Sequence, residues 1–590
     1  MTPATAVVPF EPARVRLTDG PIKTRQDFNH GYLLALQPDR LLHNFRVNAG
    51  FTSPAEPLGG WEAPSCGLRG HFVGHYLSAC ANAYAATGVE ALRDRVAVLV
   101  RELARCQAAL GQGYLAAFPA SELNTIETKF DGSWAPYYTL HKILAGLLDA
   151  HRHCMNAEAL ELAVRLANYI AERIEKVPRE RLESMLRTDR PNPPNEFGGM
   201  SEVLQDLHAL THDPAHLLLA DVFEPPWFID PLMRGDDQLT ALHCNTHIPI
   251  VLGLARRFER TGQRRCRDAV AFFWDRTALA RSYVNGGSSG PRPDGLEKST
   301  GAEHWPEPNK LATTLTPKIN ESCVTHNMMR LTDALFRWTG DPRYADFYER
   351  AYFNSLLCMQ HPGRLGGYLY DHPLGSGSRK RYGGADDAFW CCYGTSVEAF
   401  ARLNRGIFYR DGSALWVNLM IASEAIWPEK ELRVEQVTRF PEEDTTRLVF
   451  HCDKPLELTV NMRVPAWAVD GTTITINGEP FDAGRARPGT FVPIKRTWRD
   501  GNVLEARFPM RLRAEAMPDD LGVVAFLYGP LVLAAVADEE LVLHAGEQPK
   551  GADKPLTFRI RVAGGALVKL IPLNRIVEET YGVYFRVGSW

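Results

Sequence analysis

Cys391 and Cys392 are adjacent in the sequence, just ahead of a helical stretch from Val397 to Leu403. A thiol near a helix N-terminus experiences the positive end of the helix dipole, which favours the thiolate. A thiolate can act as a nucleophile or as a metal ligand. Free cysteine is also often buried as a small apolar residue. The pair alone therefore does not decide between a reactive centre and core packing.

Glu321 and Cys323 lie two residues apart at the start of a predicted helix that continues through Leu331. One turn can present both side chains to a common centre. With the cysteine pair they form a set of three thiols and one carboxylate, which suits Zn2+ in tetrahedral geometry. The spacing is not that of a zinc finger, whose ligands come in close pairs. The alternative is a helix start at which Glu321 complements the dipole and Cys323 fills the core.

Glu303 is followed directly by His304 and Trp305 in a region rich in glycine, serine and proline. A carboxyl beside an indole can have a raised pKa, as a general acid needs. Glu307 is a nearby competitor for that role. The alternative is an ordinary exposed acid in a loop, which is the commoner case for glutamate.

Two pairs of histidines have the i,i+4 spacing that allows one helix face to chelate a metal: His71 with His75, and His243 with His247. Neither pair contains the glutamate of the metalloprotease motif HExxH. Hydrogen bonding in the core or in a pocket is therefore favoured for both pairs. His141 stands among apolar residues, which is typical of a buried, hydrogen-bonded histidine.

The residues that carry these side chains belong to a long helical region. Apolar residues recur at helical spacing in 138–152 and in 327–338. Helices stop at 85–88, 209–212, 260–262 and 338–342, often with glycine, and restart at once, which indicates αα-hairpins. Their recurrence at roughly 50–80 residues indicates a closed ring or a solenoid of hairpins, and the looseness of the repeat makes a strictly periodic solenoid the weaker choice.

The pattern changes to strands near residue 406. Residues 456–462 alternate with period two, and Asn477-Gly478 and Asp500-Gly501 are hairpin-turn sequences. Closely spaced strands with such turns indicate β-sandwich modules. We therefore expect a helical catalytic domain over 1–405, a β-sandwich domain over 406–520 and a second small β-rich module over 521–590.

Composition excludes several classes of protein. The chain has 590 residues and a formal charge of −4, which gives no electrostatic case for binding nucleic acid or an anionic membrane. Its 11 cysteines are an odd number spread over a long chain, which indicates reduced thiols rather than a disulfide scaffold. The longest apolar stretch, 522–537, is too short to span a bilayer. No signal peptide is recognisable, so we expect a cytoplasmic protein, or a periplasmic one if a signal was removed.

Taken together, these segments resemble glycoside hydrolase family 127 and its relative family 146, the β-L-arabinofuranosidases, with family 146 the closer of the two. The combination of Glu-x-Cys with Cys-Cys is the most specific part of the resemblance. The matching segments cover most of the chain and lie at 25–29, 60–62, 70–78, 137–142, 242–246, 303–305, 321–323, 390–395, 463–467 and 528–531.

The resemblance implies an (α/α)6 barrel followed by β-sandwich domains of jelly-roll type. It implies a Zn2+ ion held by Glu321, Cys323, Cys391 and Cys392. It further implies a retaining exo-glycoside hydrolase, in which Cys391 is the nucleophile and Glu303 is the general acid/base. Net retention follows if the sugar is first transferred to the thiolate and then to water.

The resemblance also offers three substrate-binding candidates, which are Gln26, His141 and His243. The partner it implies is a small-molecule or oligosaccharide glycoside. The oligomeric state stays open, with a homodimer as one candidate. His326 stands where tyrosine is more usual in the family, and if this position reaches the pocket the substrate preference differs. Separately, related members could take another pentose or a deoxy sugar in place of arabinose.

Two other functions are compatible with the same residues. Rings of helical hairpins also host sugar epimerases and lyases, because fold does not fix function. An epimerase would use histidine or tyrosine acid/base pairs without a thiolate nucleophile. A non-catalytic carbohydrate-binding protein with a structural zinc would bind saccharides without turnover. We favour hydrolysis because both Glu303 and the cysteine pair have matching positions in the family.

Overall fold

The computed structural model describes residues 6–295, 303–469, 471–481, 486–552 and 554–588. A helical N-terminal part is followed by a β-rich C-terminal part, as predicted. Among the described helices, none combines the length and the hydrophobicity that a membrane-spanning helix needs.

The helices of the first part are α1 (Pro21–Ala35), α2 (Pro38–Leu41), α3 (His43–Asn48), α4 (His71–Thr87), α5 (Glu90–Leu110), α6 (Ser121–Lys129), α7 (Pro136–Cys154), α8 (Ala157–Lys176), α9 (Arg179–Met185), α10 (Met200–Thr211), α11 (Pro214–Val222), α12 (Pro226–Arg234), α13 (Cys244–Thr261), α14 (Arg264–Trp274), α15 (Ser322–Thr339), α16 (Pro342–Asn354) and α17 (Cys391–Ala401).

Six of these helices pack in a cycle. α4 packs on α7, α7 on α10, α10 on α13, α13 on α15, α15 on α17, and α17 packs back on α4. The helices between them in sequence, such as α5, α8, α11, α14 and α16, lie against this ring from outside. This cyclic order is the packing that an (α/α)6 barrel requires.

Burial distinguishes the ring helices from the outer ones. Almost every residue of α4 is buried, whereas α8 buries one face and exposes the other. Two mid-helix glycines allow α4 and α7 to approach closely. A Cβ on Gly74 would lie 2.1 Å from the carbonyl oxygen of Lys142, and one on Gly146 would lie 2.4 Å from that of Gly74. Any larger residue would push the two helices apart.

The predicted helix stops are confirmed. Gly88, Gly262 and Gly340 follow α4, α13 and α15 with φ of 74°, 71° and 67°, and each N–H closes the last helical turn. His212 does the same after α10 at φ 59°. Glycine adopts this left-handed conformation without steric cost, which explains its recurrence at these ends.

The strands are β1 (Val8–Pro9), β2 (Val15–Leu17), β3 (Phe408–Arg410), β4 (Ala414–Val417), β5 (Ser423–Trp427), β6 (Leu432–Thr438), β7 (Thr445–Cys452), β8 (Leu456–Val464), β9 (Thr473–Ile476), β10 (Glu479–Pro480), β11 (Thr490–Trp498), β12 (Val503–Arg507), β13 (Leu512–Ala516), β14 (Val523–Tyr528), β15 (Leu531–Val536), β16 (Val542–Leu543), β17 (Lys550–Gly551), β18 (Phe558–Arg561), β19 (Leu567–Pro572), β20 (Tyr581–Gly582) and β21 (Tyr584–Val587).

Two of the three sheets face each other. A five-stranded sheet has the order β1-β3-β4-β8-β11, and a seven-stranded sheet has the order β10-β9-β12-β7-β6-β5-β2. Trp498 of β11 stacks on Phe450 of β7 at 3.9 Å between ring centroids, and both side chains are fully buried. The sheets therefore enclose a sandwich core.

One of the two predicted hairpins is confirmed and the other is wrong. Asn477-Gly478 joins β9 to β10 with both residues at positive φ, as a type I′ turn requires. Asp500-Gly501 also turns the chain, but β11 and β12 belong to different sheets. The N–H of Gly501 donates instead to the carbonyl of Phe450 on β7. The turn thus carries the chain from one sheet to the other.

The third sheet has the order β16-β21-β14-β15-β19-β18-β17, with β13 added beside β14 and β20 beside β15. Alternate residues of β14 and β15 enter two separate apolar clusters, one on each face. One cluster includes Ile319 and Leu374 from the helical part, so this sheet supports the loops that flank Glu321.

β1 and β2 come from the first residues of the chain but pair with strands of the β-rich part. Val8 and Pro9 pair with β3, and Val15 to Leu17 pair with β5. Phe10, between them, packs edge-on against Trp427 at 5.6 Å between ring centroids. The sequence analysis placed the whole of 1–405 in the helical domain, and the structure adds that its first segment is built into both sandwich sheets.

Candidate active site

Four potential ligands meet where two ring helices begin. Cys391 and Cys392 are the first residues of α17, Cys323 is the second residue of α15, and Glu321 directly precedes α15. Both helices thus direct their N-termini, and the positive ends of their dipoles, at the same point. The dipoles favour negative charge at this point, whereas the hydrogen bond with Cys323 raises the pKa of Cys391 and burial raises that of Cys392.

The four side chains are close enough to share one ion. The ligand atoms of Glu321, Cys323, Cys391 and Cys392 all lie within 4.8 Å of one another. The Sγ atom of Cys392 is 3.4 Å from that of Cys323 and 3.9 Å from that of Cys391. Glu321 Oε1 lies 3.6 Å from the Sγ of Cys391 and 3.7 Å from that of Cys392.

This donor set fits a tetrahedral zinc ion. Sulfurs bound to zinc at their usual bond length stand about 3.8 Å apart, close to the separations observed here. Glu321 is 1% exposed, and its Oε2 atom has no hydrogen-bond partner among the described residues. Burial and the adjoining Cys323 raise the pKa of Glu321 well above its ordinary range. A buried group with these properties could hold a metal ion.

Only one of the three thiols borders the cavity beside this cluster. Cys391 lines a cavity of about 690 Å³ and is 7% exposed, whereas Cys392 is fully buried and does not line it. Leu68, Tyr138 and Glu321, all buried, also line it. A ligand in this cavity therefore meets the sulfur of Cys391.

Aromatic side chains form much of the cavity wall. Trp61, Trp134, Tyr370 and Trp390 all line it. Trp61 lies edge-on to Trp134 at 4.7 Å, and Tyr370 lies edge-on to Trp390 at 5.6 Å between ring centroids. Rigid aromatic surfaces interrupted by a few polar groups are typical of a small-molecule site.

Glu303 also lines this cavity, and two side chains hold its carboxyl group. His243 Nε2 lies 3.2 Å from Oε2, and the Tyr370 hydroxyl donates to Oε1. His243 Nδ1 accepts the backbone N–H of Thr246 at the start of α13. The proton of the neutral imidazole is then on Nε2, so His243 donates to Glu303.

The prediction that an indole raises the pKa of Glu303 is wrong. Trp305 is fully buried and packs on Phe273 at 5.5 Å between ring centroids, in the core. Burial does raise the pKa of Glu303, but the hydrogen bonds from His243 and Tyr370 and the neighbouring imidazole outweigh it. The net pKa lies below the usual value, so the free site holds the carboxylate.

The other sequence-predicted residues lie in different places. His141 lines a separate cavity of about 340 Å³ together with Lys142, and Gln26 is buried in α1. Neither is among the residues that line the cavity of Cys391, so substrate binding by these two stays a prediction. Glu307, the alternative acid/base, is exposed and does not line that cavity either.

Two further residues of the cavity, Glu196 and Tyr370, were not predicted from the sequence. Glu196 lies in the loop before α10, lines the cavity, and accepts a hydrogen bond from Thr246 Oγ1 at 2.9 Å. Burial raises the pKa of Glu196, although His243 and Thr246 partly offset the effect. The backbone carbonyl of Tyr370 accepts the N–H of Ser322, which ties this residue to the start of α15. Both residues stand in irregular segments that show no periodic pattern.

Comparison with known proteins places this arrangement in a family. Residues 14–405 match the model of the β-L-arabinofuranosidase GH127 catalytic domain, and residues 414–510 match that of the GH127 middle domain. No curated protein sequence matches the chain.

Solved structures show the same fold. A GH127 β-L-arabinofuranosidase from Geobacillus stearothermophilus T6 superposes with a TM-score of 0.75 at 17% identity, covering 97% of this chain and 100% of that one. A second GH127 β-arabinofuranosidase gives a TM-score of 0.77 at 17% identity, covering 99% and 98%. The match of the catalytic-domain model extends over well more than half of the chain. The protein is therefore a glycoside hydrolase and belongs to glycoside hydrolase family 127, the β-L-arabinofuranosidase family.

Proposed function

We propose that this protein is a retaining, exo-acting β-L-arabinofuranosidase with Cys391 as nucleophile and Glu303 as general acid/base. The observation that carries the proposal is that Cys391, alone of the three clustered thiols, lines the cavity that Glu303 also lines. A retaining glycosidase needs a nucleophile and an acid/base that act on the same anomeric carbon. Two such groups around one cavity meet that need.

In the first step the Sγ atom of Cys391 attacks the anomeric carbon. The bond from that carbon to the leaving oxygen breaks, and Glu303 gives its proton to that oxygen. A sugar that fills the cavity displaces water from Glu303, which disfavours the carboxylate and supports proton uptake before this step. The result is a thioglycosyl intermediate on Cys391 and a free leaving group.

In the second step the Glu303 carboxylate takes a proton from a water molecule. The water oxygen bonds to the anomeric carbon, and the bond from carbon to sulfur breaks and leaves a thiolate on Cys391. Two inversions give net retention. The hydrogen bonds from His243 and Tyr370 favour the carboxylate form that this step requires.

We propose zinc as the metal of the buried cluster, held by Glu321, Cys323, Cys391 and Cys392. When bound, zinc keeps the coordinating thiols deprotonated at neutral pH. The chain contributes the two helix N-termini and the Thr395 hydroxyl, which lies 3.1 Å from the Sγ of Cys323. These groups stabilise the negative charge of the ligands.

Exo action is supported by the position of Cys391 among buried side chains. Leu68, Tyr138 and Glu321 surround it and are at most 6% exposed. The buried end of the cavity has room for the end of a sugar chain rather than for a continuous polymer. The aromatic wall suits the apolar faces of a neutral sugar ring.

The test is release of free arabinose from 4-nitrophenyl β-L-arabinofuranoside by reduced, zinc-replete protein. We expect turnover by the wild type and a fall in kcat of at least about a thousandfold in Cys391→Ala, because the covalent step is lost. Cys106→Ala is the matched control, since Cys106 is buried in α5, away from the cavity.

The products distinguish hydrolysis from the other candidate reactions. An epimerised or unsaturated sugar in place of arabinose would replace this proposal with an epimerase or a lyase. Saccharide binding without any product would favour a non-catalytic binding protein. Full activity in Cys391→Ala would reject the thiolate mechanism.

A further inference from the structure

Two arginines line the outer part of the catalytic cavity. Arg379 and Arg381 are exposed, whereas Glu303 and Glu321 are 5% and 1% exposed. The carboxylates of the cavity are thus concentrated at its buried end, and these guanidinium groups stand where it meets solvent.

The segment that carries the arginines is fixed at three points. The backbone N–H of Ser378 donates to the carbonyl of Tyr581, and the N–H of Tyr581 donates back, at 2.8 and 2.9 Å. Lys380 Nζ donates to the carbonyls of Leu573 and Ile576 at 3.0 and 2.8 Å. Tyr382 forms a backbone bridge to Leu369. The segment is therefore held rigidly by the C-terminal sheet region on one side and by the chain next to Tyr370 on the other.

Alternation along this extended segment explains where the arginines point. Lys380 is 5% exposed and turns into the protein, so its neighbours on either side turn the opposite way. Arg379 and Arg381 therefore project together, in agreement with their common position on the cavity lining.

Neither arginine is neutralised within the described part of the chain. No described carboxylate lies within 4.0 Å of Arg379 or Arg381, and no described group forms a side-chain hydrogen bond with them. Lys380, which lies between them, donates its hydrogen bonds to two backbone carbonyls and does not share in this unpaired charge. Two neighbouring cations without counter-ions at a cavity mouth attract an anionic ligand. Lys318 and Asp371 also line the cavity, with one charge of each sign.

We propose that Arg379 and Arg381 bind an anionic group on the leaving-group saccharide, so that the preferred substrate is an arabinofuranoside of an acidic sugar. The inference rests on the hydrolase function proposed above and adds the chemical class of the aglycone. Guanidinium groups bind carboxylate and sulfate oxygens through paired N–H donors. The anion belongs to the leaving group because the cleaved sugar must sit between the carboxyl group of Glu303 and the thiolate of Cys391, where a second negative charge is repelled.

The experiment compares three arabinofuranosides that share one linkage and differ only in the leaving sugar. The leaving sugar is a neutral hexose, the corresponding hexuronic acid, or the same hexose with a sulfate at position 6. We expect kcat/KM of the wild type to be about tenfold higher for an acidic aglycone than for the neutral one at low salt. The advantage should shrink as sodium chloride screens the charges. The uronate and sulfate arms identify which anion the site prefers.

A double variant, Arg379→Gln with Arg381→Gln, should remove that advantage and bring the ratio of the two kcat/KM values close to one. The matched control, Arg439→Gln with Arg499→Gln, makes the same change in net charge at exposed positions of the sandwich domain and should keep the ratio. Equal kcat/KM for neutral and acidic substrates in the wild type, or an unchanged ratio in the double variant, overturns the inference while leaving the hydrolase function intact. Absence of turnover on all three would instead reject the proposed function.

Discussion

Glu303 receives hydrogen bonds from His243 and Tyr370, two side chains far from it in the sequence. The backbone also holds this position, since the carbonyl of Glu303 accepts the N–H of Cys244 at 2.8 Å. The start of α13 thus fixes both the main chain of Glu303 and the imidazole that contacts its carboxyl group. The proton affinity of the Glu303 carboxyl group therefore depends on its own loop, on the start of α13 and on the segment that contains Tyr370.

Glu303→Gln should lose activity in proportion to the difficulty of the leaving group. An amide cannot supply a proton, so kcat/KM should fall by about a hundredfold to ten-thousandfold on an alkyl or sugar aglycone. The loss in kcat/KM should be much smaller on a nitrophenyl aglycone, which leaves without protonation. Steady-state kinetics on both substrate types measure this difference.

Glu307→Gln is the control for that experiment. Its side chain is exposed and outside the cavity, so both substrates should be turned over at the wild-type rate. If Glu307→Gln shows the leaving-group dependence instead, Glu307 is the acid/base and the assignment of Glu303 is wrong.

At this scale the sequence was most informative where rare residues coincide. Adjacent cysteines and Glu-x-Cys indicated a set of four ligands, and the resemblance to the family favoured that set over core packing. Tyr370 and Glu196 could not be predicted, since tyrosine and glutamate are common in loops. The burial of Trp305 in the core was missed for another reason, which is that closeness in sequence does not show where a side chain points in an irregular segment.

The first turns of α15 and α17 are the elements that bring the ligands together. Neither helix carries a complete site, because α17 contributes two sulfurs and α15 contributes the third sulfur next to Glu321. A bound ion would therefore link two ring helices that are otherwise joined by side-chain packing. Metal content and the stability of this helix pair should change together.

Cys392→Ala tests this link without removing the proposed nucleophile. We expect about one zinc per chain in the wild type by elemental analysis and less than about a tenth of that in Cys392→Ala, since three remaining ligands bind zinc more weakly. The Tm should fall in the variant, and a strong chelator should lower the wild-type Tm in the same direction. Cys106→Ala should keep both properties.

Active wild-type protein that contains no zinc would contradict this expectation. Retention of zinc by Cys392→Ala would show that Cys392 is a packing residue, as buried cysteines often are.

Helix ends were predictable because the glycine caps are visible in the local sequence. The partner with which a strand pairs has no such local signal. The Asp500-Gly501 turn has hairpin residues, yet β11 pairs with β8 and β12 pairs with β7 and β9. Strand pairing is decided by burial of both strands in a sandwich, which depends on residues far away in the sequence.

At the scale of the whole molecule, an ion-pair network joins ring helices at the cavity of about 340 Å³ that His141 lines. Asp206 of α10 lies 3.2 Å from Arg152 of α7, and 3.4 and 3.3 Å from Arg256 and Arg260 of α13. These arginines overcome the opposing effect of burial and lower the pKa of Asp206 from 3.8 to about 2. One carboxylate thus holds three consecutive ring helices together.

Asp206→Asn should destabilise the helical domain, because Arg152, Arg256 and Arg260, which are only partly exposed, lose the carboxylate that they share. At pH 7 we expect the Tm to fall by about 3 °C or more. The folded-state pKa is depressed, so the stabilisation is complete above pH 3.8 and is lost as the pH falls through about 2. Calorimetry at pH 7 and at pH 3 should therefore show a smaller difference between wild type and variant at pH 3.

Asp230→Asn is the control, since Asp230 is exposed on α12 and forms no ion pair with any described residue. A difference between wild type and Asp206→Asn that is the same at both pH values would show that the effect comes from packing rather than from charge.

At this scale the change from helices to strands near residue 406 was visible in the sequence. The insertion of β1 and β2 into the sandwich sheets was not, since two short strands some 400 residues from their partners have no local signature. The spacing of the hairpins indicated a ring or a solenoid, and the closure of the ring was expected only from the family.

The closure of the helical ring by α17 against α4 has a consequence for biosynthesis. At about 5–20 residues per second, a ribosome needs roughly 16–64 seconds to proceed from His71, where α4 begins, to Cys391, where α17 begins. Until then the nascent chain has Glu321 and Cys323 but not the other two ligands, and α4 lacks one neighbour. The ring is therefore an open arc of helices until α17 is synthesised, and a metal ion that needs all four ligands binds only after that point.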